Sequence, residues 1–252
     1  MKIAFMFLTR DNHNQGGVWE SFFDRQYREQ YNIYCHATYS DLVTQQFLQE
    51  NIIQENNNSK YADISVVKAT ISLLKTAFQD KDNEYFILSS ESCVPLYDFP
   101  YIYRTMNQNQ KSYINYFNID SSEKKSEYLS RWKQLKENIF DNFYYQDKYF
   151  IHNREAVELI LQCDYTDIFE NMYAPDEHYF INLLTKNNFP LEEKVINQMV
   201  TFVNWKDYEV EHGIVDNPEM GQYEFQYIHP KTYQDLSIED ILDARSQGCL
   251  FF

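Results

Sequence analysis

The chain of 252 residues sets 38 Asp plus Glu against 22 Lys plus Arg, a formal charge of −16, and is 44% hydrophobic. That charge repels nucleic-acid phosphates and anionic lipid headgroups at long range, so neither is an expected partner, while a few local cations still suffice for a small phosphorylated ligand. The apolar fraction supports one large core, and a single domain over residues 1–252 is expected.

In chain order the residues predict a strand over 3–8, a helix over 18–29, a strand over 33–36, a polar loop over 54–60 and a helix over 65–78. Strands over 85–88, 113–117 and 149–152 follow, with a loop over 119–126 between the last two. Helices over 154–161 and 177–184, a strand over 200–204 and a Gly- and Pro-bearing loop over 209–222 complete the pattern. Alternation of this kind predicts an α/β sheet with helices on its faces. The loops over 119–126 and 209–222 are expected to frame a ligand cleft.

Several chemistries lack their signatures. There is no G-x-G-x-x-G, P-loop, G-x-S-x-G or H-E-x-x-H motif, and no cysteine pair at zinc spacing. No apolar run approaches the roughly 20 residues that span a bilayer, so no transmembrane segment is expected. The apolar start Met1 to Leu8 reads as a core strand and not as a signal peptide. Cys35, Cys93, Cys163 and Cys249 are widely spaced beside apolar residues, which predicts buried, reduced thiols and a soluble protein in cytoplasmic or viral-factory-like conditions. The 22 Tyr and 19 Phe are read as compositional bias filling the core, with only individually placed rings as sugar-stacking candidates.

Phe86-Ile-Leu-Ser-Ser-Glu-Ser-Cys-Val-Pro-Leu96 is an apolar run ending abruptly in small polar residues, the pattern of a buried strand that delivers a site at its carboxyl end. Together with Lys2-Ile-Ala-Phe-Met-Phe-Leu-Thr-Arg10 and Pro175-Asp-Glu-His-Tyr-Phe180, it resembles the core-2/I-branching family of β-1,6-N-acetylglucosaminyltransferases and its plant relatives. The resemblance runs in order from Lys2 to Phe252. It implies a GT-A-like, Rossmann-like mixed sheet, with a nucleotide-binding half at about 1–118 and an acceptor half at about 119–252. It further implies inverting transfer of a sugar, N-acetylglucosamine by family default, from a UDP-sugar donor to a hydroxyl of a glycan or glycoprotein acceptor. Animal members are Golgi proteins with a membrane anchor and lumenal disulfides, features not expected of this chain.

On the residues alone, Asp176 and Glu177 complement the positive end of a helix dipole, worth about 0.3 to 1 kcal/mol. The resemblance instead makes Glu177 the catalytic base, a role that typically supplies about 10² to 10⁴ in rate. Trp205, with Tyr208 and Glu209 after it, is similar to the family's acceptor-pocket segment, although a strand aromatic is otherwise core. Most GT-A enzymes carry a D-x-D metal site at a strand end. Asp80-Lys-Asp82 has the letters but precedes its strand, and the corresponding strand end reads Ser90-Glu-Ser92-Cys93, as in the plant-like branch that lacks D-x-D. Ser92 and Cys93 are therefore substrate-side candidates, no metal cofactor is expected, and the leaving diphosphate must meet cations elsewhere.

Lys231 aligns with a family basic residue that contacts the diphosphate. The family has a second Lys beyond a Cys/His-Leu-Phe strand, and this sequence reaches Cys249-Leu-Phe-Phe252. Thr9 and His36 close the first two strands, where the family's nucleotide lies; Thr38 stands in place of the Asp of the family's V-H-x-D pattern. Asp63 reads as a helix N-cap or as a contact to uracil or ribose. Arg131-Trp-Lys133 and the segment from Tyr149 to Arg154 also resemble family segments, the latter positioning the acceptor loop. Two competing readings are a catalytically impaired carbohydrate-binding protein and a metal-dependent GT-A transferase using Glu91 or Asp120.

Overall fold

The computed structural model describes residues 1–56, 58–123, 125–204, 231, 233 and 235–252. Six strands form one sheet: β1 (Lys2–Thr9), β2 (Tyr31–Ala37), β3 (Asn83–Ser90), β4 (Ser112–Asn118), β5 (Tyr144–Asn153) and β6 (Val195–Ile196). Their order is β2-β1-β3-β5-β4-β6. β1 runs parallel to β2 and β3, β5 antiparallel to β3 and β4, and β6 parallel to β4.

The unbroken apolar run of β1 demands cover on both faces, and it has it. Ala4, Met6 and Leu8 pack with the helices Ile64–Phe78, Arg154–Gln162 and Tyr179–Lys186. Ile3, Phe5 and Phe7 pack with the helices Gly16–Phe22 and Phe99–Asn109. Trp19 anchors this second face, its ring centroid 4.8 Å from that of Phe7 and 5.9 Å from that of Phe5. A single-domain mixed sheet flanked by helices is consistent with a GT-A-like fold, as the resemblance implies.

The strand expected over 200–204 does not form. Thr201 makes only an isolated bridge to Phe251, while Val94 and Leu96 pair with Phe252 and Leu250, so this region is stitched by the last residues of the chain. The helix expected over 18–29 stops at Phe22, because Asp24 accepts from the Gln26 N–H and caps a separate 3-10 turn, Arg25–Gln30. The segment expected as a loop over 119–126 holds a 3-10 turn, Ile119–Ser121, and the start of the helix Lys125–Trp132. Helices Phe99–Asn109 and Ile238–Ser246 are additional; Asp98 caps the first, and a Ser237/Asp240 capping box opens the second. The loop expected over 209–222 lies outside the described residues.

Asp80 belongs to the amino-terminal end of the sheet. It pairs with Lys2 Nζ at 3.0 Å and accepts from Asn32 Nδ2 at 2.7 Å, a structural role far from the strand ends that matter for ligands. All four cysteines are thiols; Cys35, Cys93 and Cys249 are buried, but Cys163 is only half-buried, contrary to expectation. Among the described residues no helix is long and apolar enough to cross a membrane.

β2 lies at the edge of the sheet, and side chains and a short segment cover its outward backbone. Cys35 exchanges backbone bonds with Asn51 and Ile53, and the Asn56 amide takes the Ala37 N–H at 2.8 Å while donating to its carbonyl at 2.6 Å. Asn56→Ala removes both of the last two bonds and is expected to cost about 2 kcal/mol. Urea denaturation measures this, and a loss below about 0.5 kcal/mol, the lower bound for one such bond, would show the cap to be dispensable.

Candidate active site

β3 ends in small polar residues because the chain must turn tightly there. Ser90 Oγ lies 3.1 Å from Ser92 Oγ and 3.3 Å from Cys93 Sγ, and accepts from the Tyr149 hydroxyl at 3.0 Å. His13 Nε2 and Trp19 Nε1 both meet the Cys93 carbonyl at 2.9 Å, and the Asn14 N–H donates to the Glu91 carbonyl at 2.8 Å. The loop after β1 is thereby tied to the turn after β3. The Cys93 thiol is turned inward and buried, whereas Ser92 is exposed.

Across the sheet, β5 is irregular where it passes this turn. Ile114 faces Phe150 and Tyr116 faces Gln146, so Asn115 alone opposes the three residues Asp147, Lys148 and Tyr149. Such a bulge re-aims side chains, and bulges gather next to active sites. Here it sends Tyr149 to Ser90 and Asp147 to Asn115, whose Nδ2 donates to Asp147 Oδ2 at 2.7 Å.

The third component is the 3-10 turn Pro175–Glu177. Sequence periodicity predicts a helix from residue 177; the helix begins instead at Tyr179, so Glu177 is held in a turn and not at a helix start. Ala174 enters this turn at φ 49°, a left-handed conformation that costs an L-residue roughly 1 to 2 kcal/mol. Its N–H donates at 2.9 Å to the carbonyl of Ala62, itself at φ 54°, which fastens the turn to the residues preceding the helix Ile64–Phe78.

Glu177 Oε2 accepts from Arg131 Nη1 at 2.5 Å, and Arg131 Nη2 reaches Glu127 Oε1 at 3.1 Å. The guanidinium lies 5.5 Å from the Tyr128 ring centroid and 5.4 Å from that of Tyr173. Protein surrounds the Glu177 side chain on most sides, yet 25% of it stays accessible, so a ligand can still reach the carboxylate. Burial pushes its pKa up to about 7 against the pull of Arg131, and the carboxylates of Asp176 and Asp147 add to the rise. Burial also raises Asp176, which Lys148 and Arg131 partly offset, and Asp147, which the Asn115 bond partly offsets. A base with a pKa near 7 is matched to proton transfer at neutral pH.

His178 follows directly but stays neutral: burial drives its pKa down to about 3. Its Nδ1 lies 3.0 Å from the Tyr144 carbonyl and its ring centroid 5.5 Å from that of Trp132, so it packs the turn in place.

On the first two strands the side chains face inward. Thr9 Oγ1 donates to the Asp11 carbonyl at 2.9 Å, and His36 is fully buried with its pKa lowered by that burial. Asp63 is the N-cap of the helix Ile64–Phe78, accepting from the Ser65 N–H at 2.9 Å. Burial works to raise its pKa, but the Ser65 bonds and the charges of Lys60 and Lys68 together hold it below the ordinary value. Lys231 is exposed; its N–H donates to the Asn204 carbonyl at 3.1 Å and its ammonium lies 4.9 Å from the Tyr233 ring centroid. Tyr233 packs on Phe252, whose carbonyl accepts from Val94, so Lys231 shares a wall with the turn after β3. Trp205, Tyr208 and Glu209 lie outside the described residues. Of the alternative metal ligands, Asp120 is exposed and pairs with Lys125 at 2.7 Å.

Reading the residues in sequence misses Asp147 and the pairing of Arg131 with Glu177. One signal was available: Gln146-Asp147-Lys148 interrupts the otherwise aromatic and apolar run from Phe143 to Ile151, as a bulged strand would.

A paired, raised-pKa carboxylate in the turn before the helix Tyr179–Lys186, a hydroxyl-lined turn after β3 and a cation-bearing wall beside that turn are the kinds of group that group transfer uses. The chain belongs to the core-2/I-branching enzyme family, whose family model matches residues 3–243. It is 24% identical over 236 residues to glycosyltransferase BC10 of Oryza sativa subsp. japonica, covering 81% of this chain and 57% of that protein. The chain thus spans little more than half the length of that relative.

Proposed function

We propose that the chain is an inverting glycosyltransferase that moves a sugar, N-acetylglucosamine by family default, from a UDP-sugar to a hydroxyl of a glycan acceptor without a divalent metal. Family membership supports glycosyl transfer as the reaction class. The observation that carries the mechanism is Glu177, a recessed carboxylate with its pKa near 7, held by Arg131 at 2.5 Å.

Glu177 takes the proton of the acceptor hydroxyl. The oxygen forms its bond to the anomeric carbon on the face opposite UDP, and the bond from that carbon to the β-phosphate oxygen breaks. The bonding pair leaves with UDP, so configuration inverts and no covalent glycosyl-enzyme forms. Lys231 and the hydroxyls of Ser90 and Ser92 are assigned to the charge developing on the leaving diphosphate. The loops that follow Thr9 and His36, and the helix start capped by Asp63, are assigned to the nucleotide, and Trp205, Tyr208 and Glu209 to the acceptor.

UDP is expected to stabilise the fold by about 2.7 kcal/mol at a free concentration 100 times its dissociation constant, with EDTA present or absent. Thermal melting measures this. Loss of the shift in EDTA would overturn the metal-free reading, and no shift with UDP or any UDP-sugar would overturn the donor assignment.

A further inference from the structure

The bulge in β5 places one carboxylate between the two halves of the proposed reaction. Asp147 sits in the bulge between Gln146, whose Oε1 accepts at 2.6 Å from the Ile181 N–H on the helix that follows Glu177, and Tyr149, which reaches toward the turn after β3 and the chain's last residues. Those residues pair with Val94, directly after the turn whose Ser90 receives the Tyr149 hydroxyl from the same bulge. The transferred sugar must occupy this interval, because its anomeric carbon is approached by the acceptor oxygen beside the base and is left by the diphosphate on the far side.

The chemistry of Asp147 fits a hydroxyl donor. Asn115 fixes Oδ2 with a neutral amide, orienting the carboxylate without neutralising it. Among the described residues no donor reaches Oδ1. Lys148, the adjacent cation, is directed elsewhere, with its ammonium 5.9 Å from the Tyr149 ring centroid and its charge felt at Asp176. An ionised carboxylate accepts hydrogen bonds only, and a sugar hydroxyl supplies a donor that forms a charge-assisted bond.

We infer that Asp147, presented by the β5 bulge and oriented by Asn115, binds a ring hydroxyl of the transferred sugar and sets which donor sugar is accepted. This rests on the UDP-sugar donor reading above. Asp147→Asn keeps the size and the Asn115 contact while placing an amide where the carboxylate was.

Calorimetric titration of wild type and variant with UDP, UDP-N-acetylglucosamine, UDP-glucose, UDP-galactose and UDP-xylose tests it. For the sugar nucleotide bound best by wild type, the variant is expected to bind about 10-fold more weakly, equivalent to about 1.4 kcal/mol, with UDP affinity within about twofold of wild type. Sugar-nucleotide affinity within about twofold of wild type would overturn the inference, as would equal weakening of UDP. Wild type that binds UDP but none of the sugar nucleotides would also overturn it, and wild type that binds neither would bring down the donor reading itself. If Asp147→Asn fails to fold, Asn115→Ala serves in its place; it retains the carboxylate but frees it to rotate. The expected result is then about threefold weaker sugar-nucleotide binding with UDP unaffected, and no difference between the two ligands overturns the inference.

Discussion

Glu177→Gln is expected to lower kcat by about 10² or more while leaving UDP affinity within about twofold, since the base faces the acceptor and not the nucleotide. The substitution keeps size and most hydrogen bonding and removes only basicity. In the wild type, kcat/KM should rise with pH toward a midpoint near 7, where the buried carboxyl ionises, and then level off. Stability should move the opposite way. The folded pKa of about 7 stands above the ordinary value of 4.5, so the fold favours the protonated form; this group's stabilising contribution is full below pH 4.5 and is lost as pH rises through 7. Glu177→Gln removes that slope and should be at least as stable as wild type above pH 7. Were Glu177 only a helix-dipole partner, the charge would stabilise, and Gln would be less stable with activity intact. Full activity in Glu177→Gln, assayed across pH 5 to 9 on the order of one unit per step, would move the base to another carboxylate.

The contrast between what the residues reveal singly and what they do together has a physical basis. β1 and β3 are legible because a strand covered on both faces is a nearly continuous apolar run, and Ile3 to Leu8 and Tyr85 to Leu88 are such runs. β6 is not legible, since Val195–Ile196 is two residues whose pairing with β4 is decided by the fold. The segment over 200–204 has strand-like residues but finds only the chain's last residues to pair with. Helix Phe99–Asn109 hides behind a run of weak helix formers, Phe99, Tyr101, Tyr103 and Thr105 among them, and a proline; its Asp98 cap and the Pro100 near its start are the local cues. Glu177 is legible through its motif, but Arg131 stands 46 residues away in sequence, and no local pattern specifies an ion pair across that distance. The same holds for the Tyr149–Ser90 bond, which joins residues 59 apart. Apolar periodicity reports burial, whereas the site depends on where a bulge and a strained turn aim polar groups.

Arg131→Ala is expected to be the most damaging single change to the site, costing about 3 kcal/mol. Its side chain is only 11% exposed and joins Glu177 to Glu127, so truncation strands a recessed carboxylate beside Asp176 and Asp147. Part of that cost is avoided if Glu177 takes up a proton, and this predicts a kinetic signature. Arg131 opposes the rise in the Glu177 pKa, so its removal should carry the midpoint of the kcat/KM profile above 7 and reduce activity at neutral pH by about 10-fold or more. Arg131→Lys keeps the charge but not the fork that spans Glu177 and Glu127, and should recover the midpoint better than the stability. The double variant Arg131→Ala/Glu177→Gln separates the causes, because with no charge to strand, loss of the arginine should cost about 1 kcal/mol less than it does alone. A strictly additive cycle would mean that the 2.5 Å contact does not bear on the fold, and an Arg131→Ala profile with its midpoint unmoved would mean that it does not tune the base.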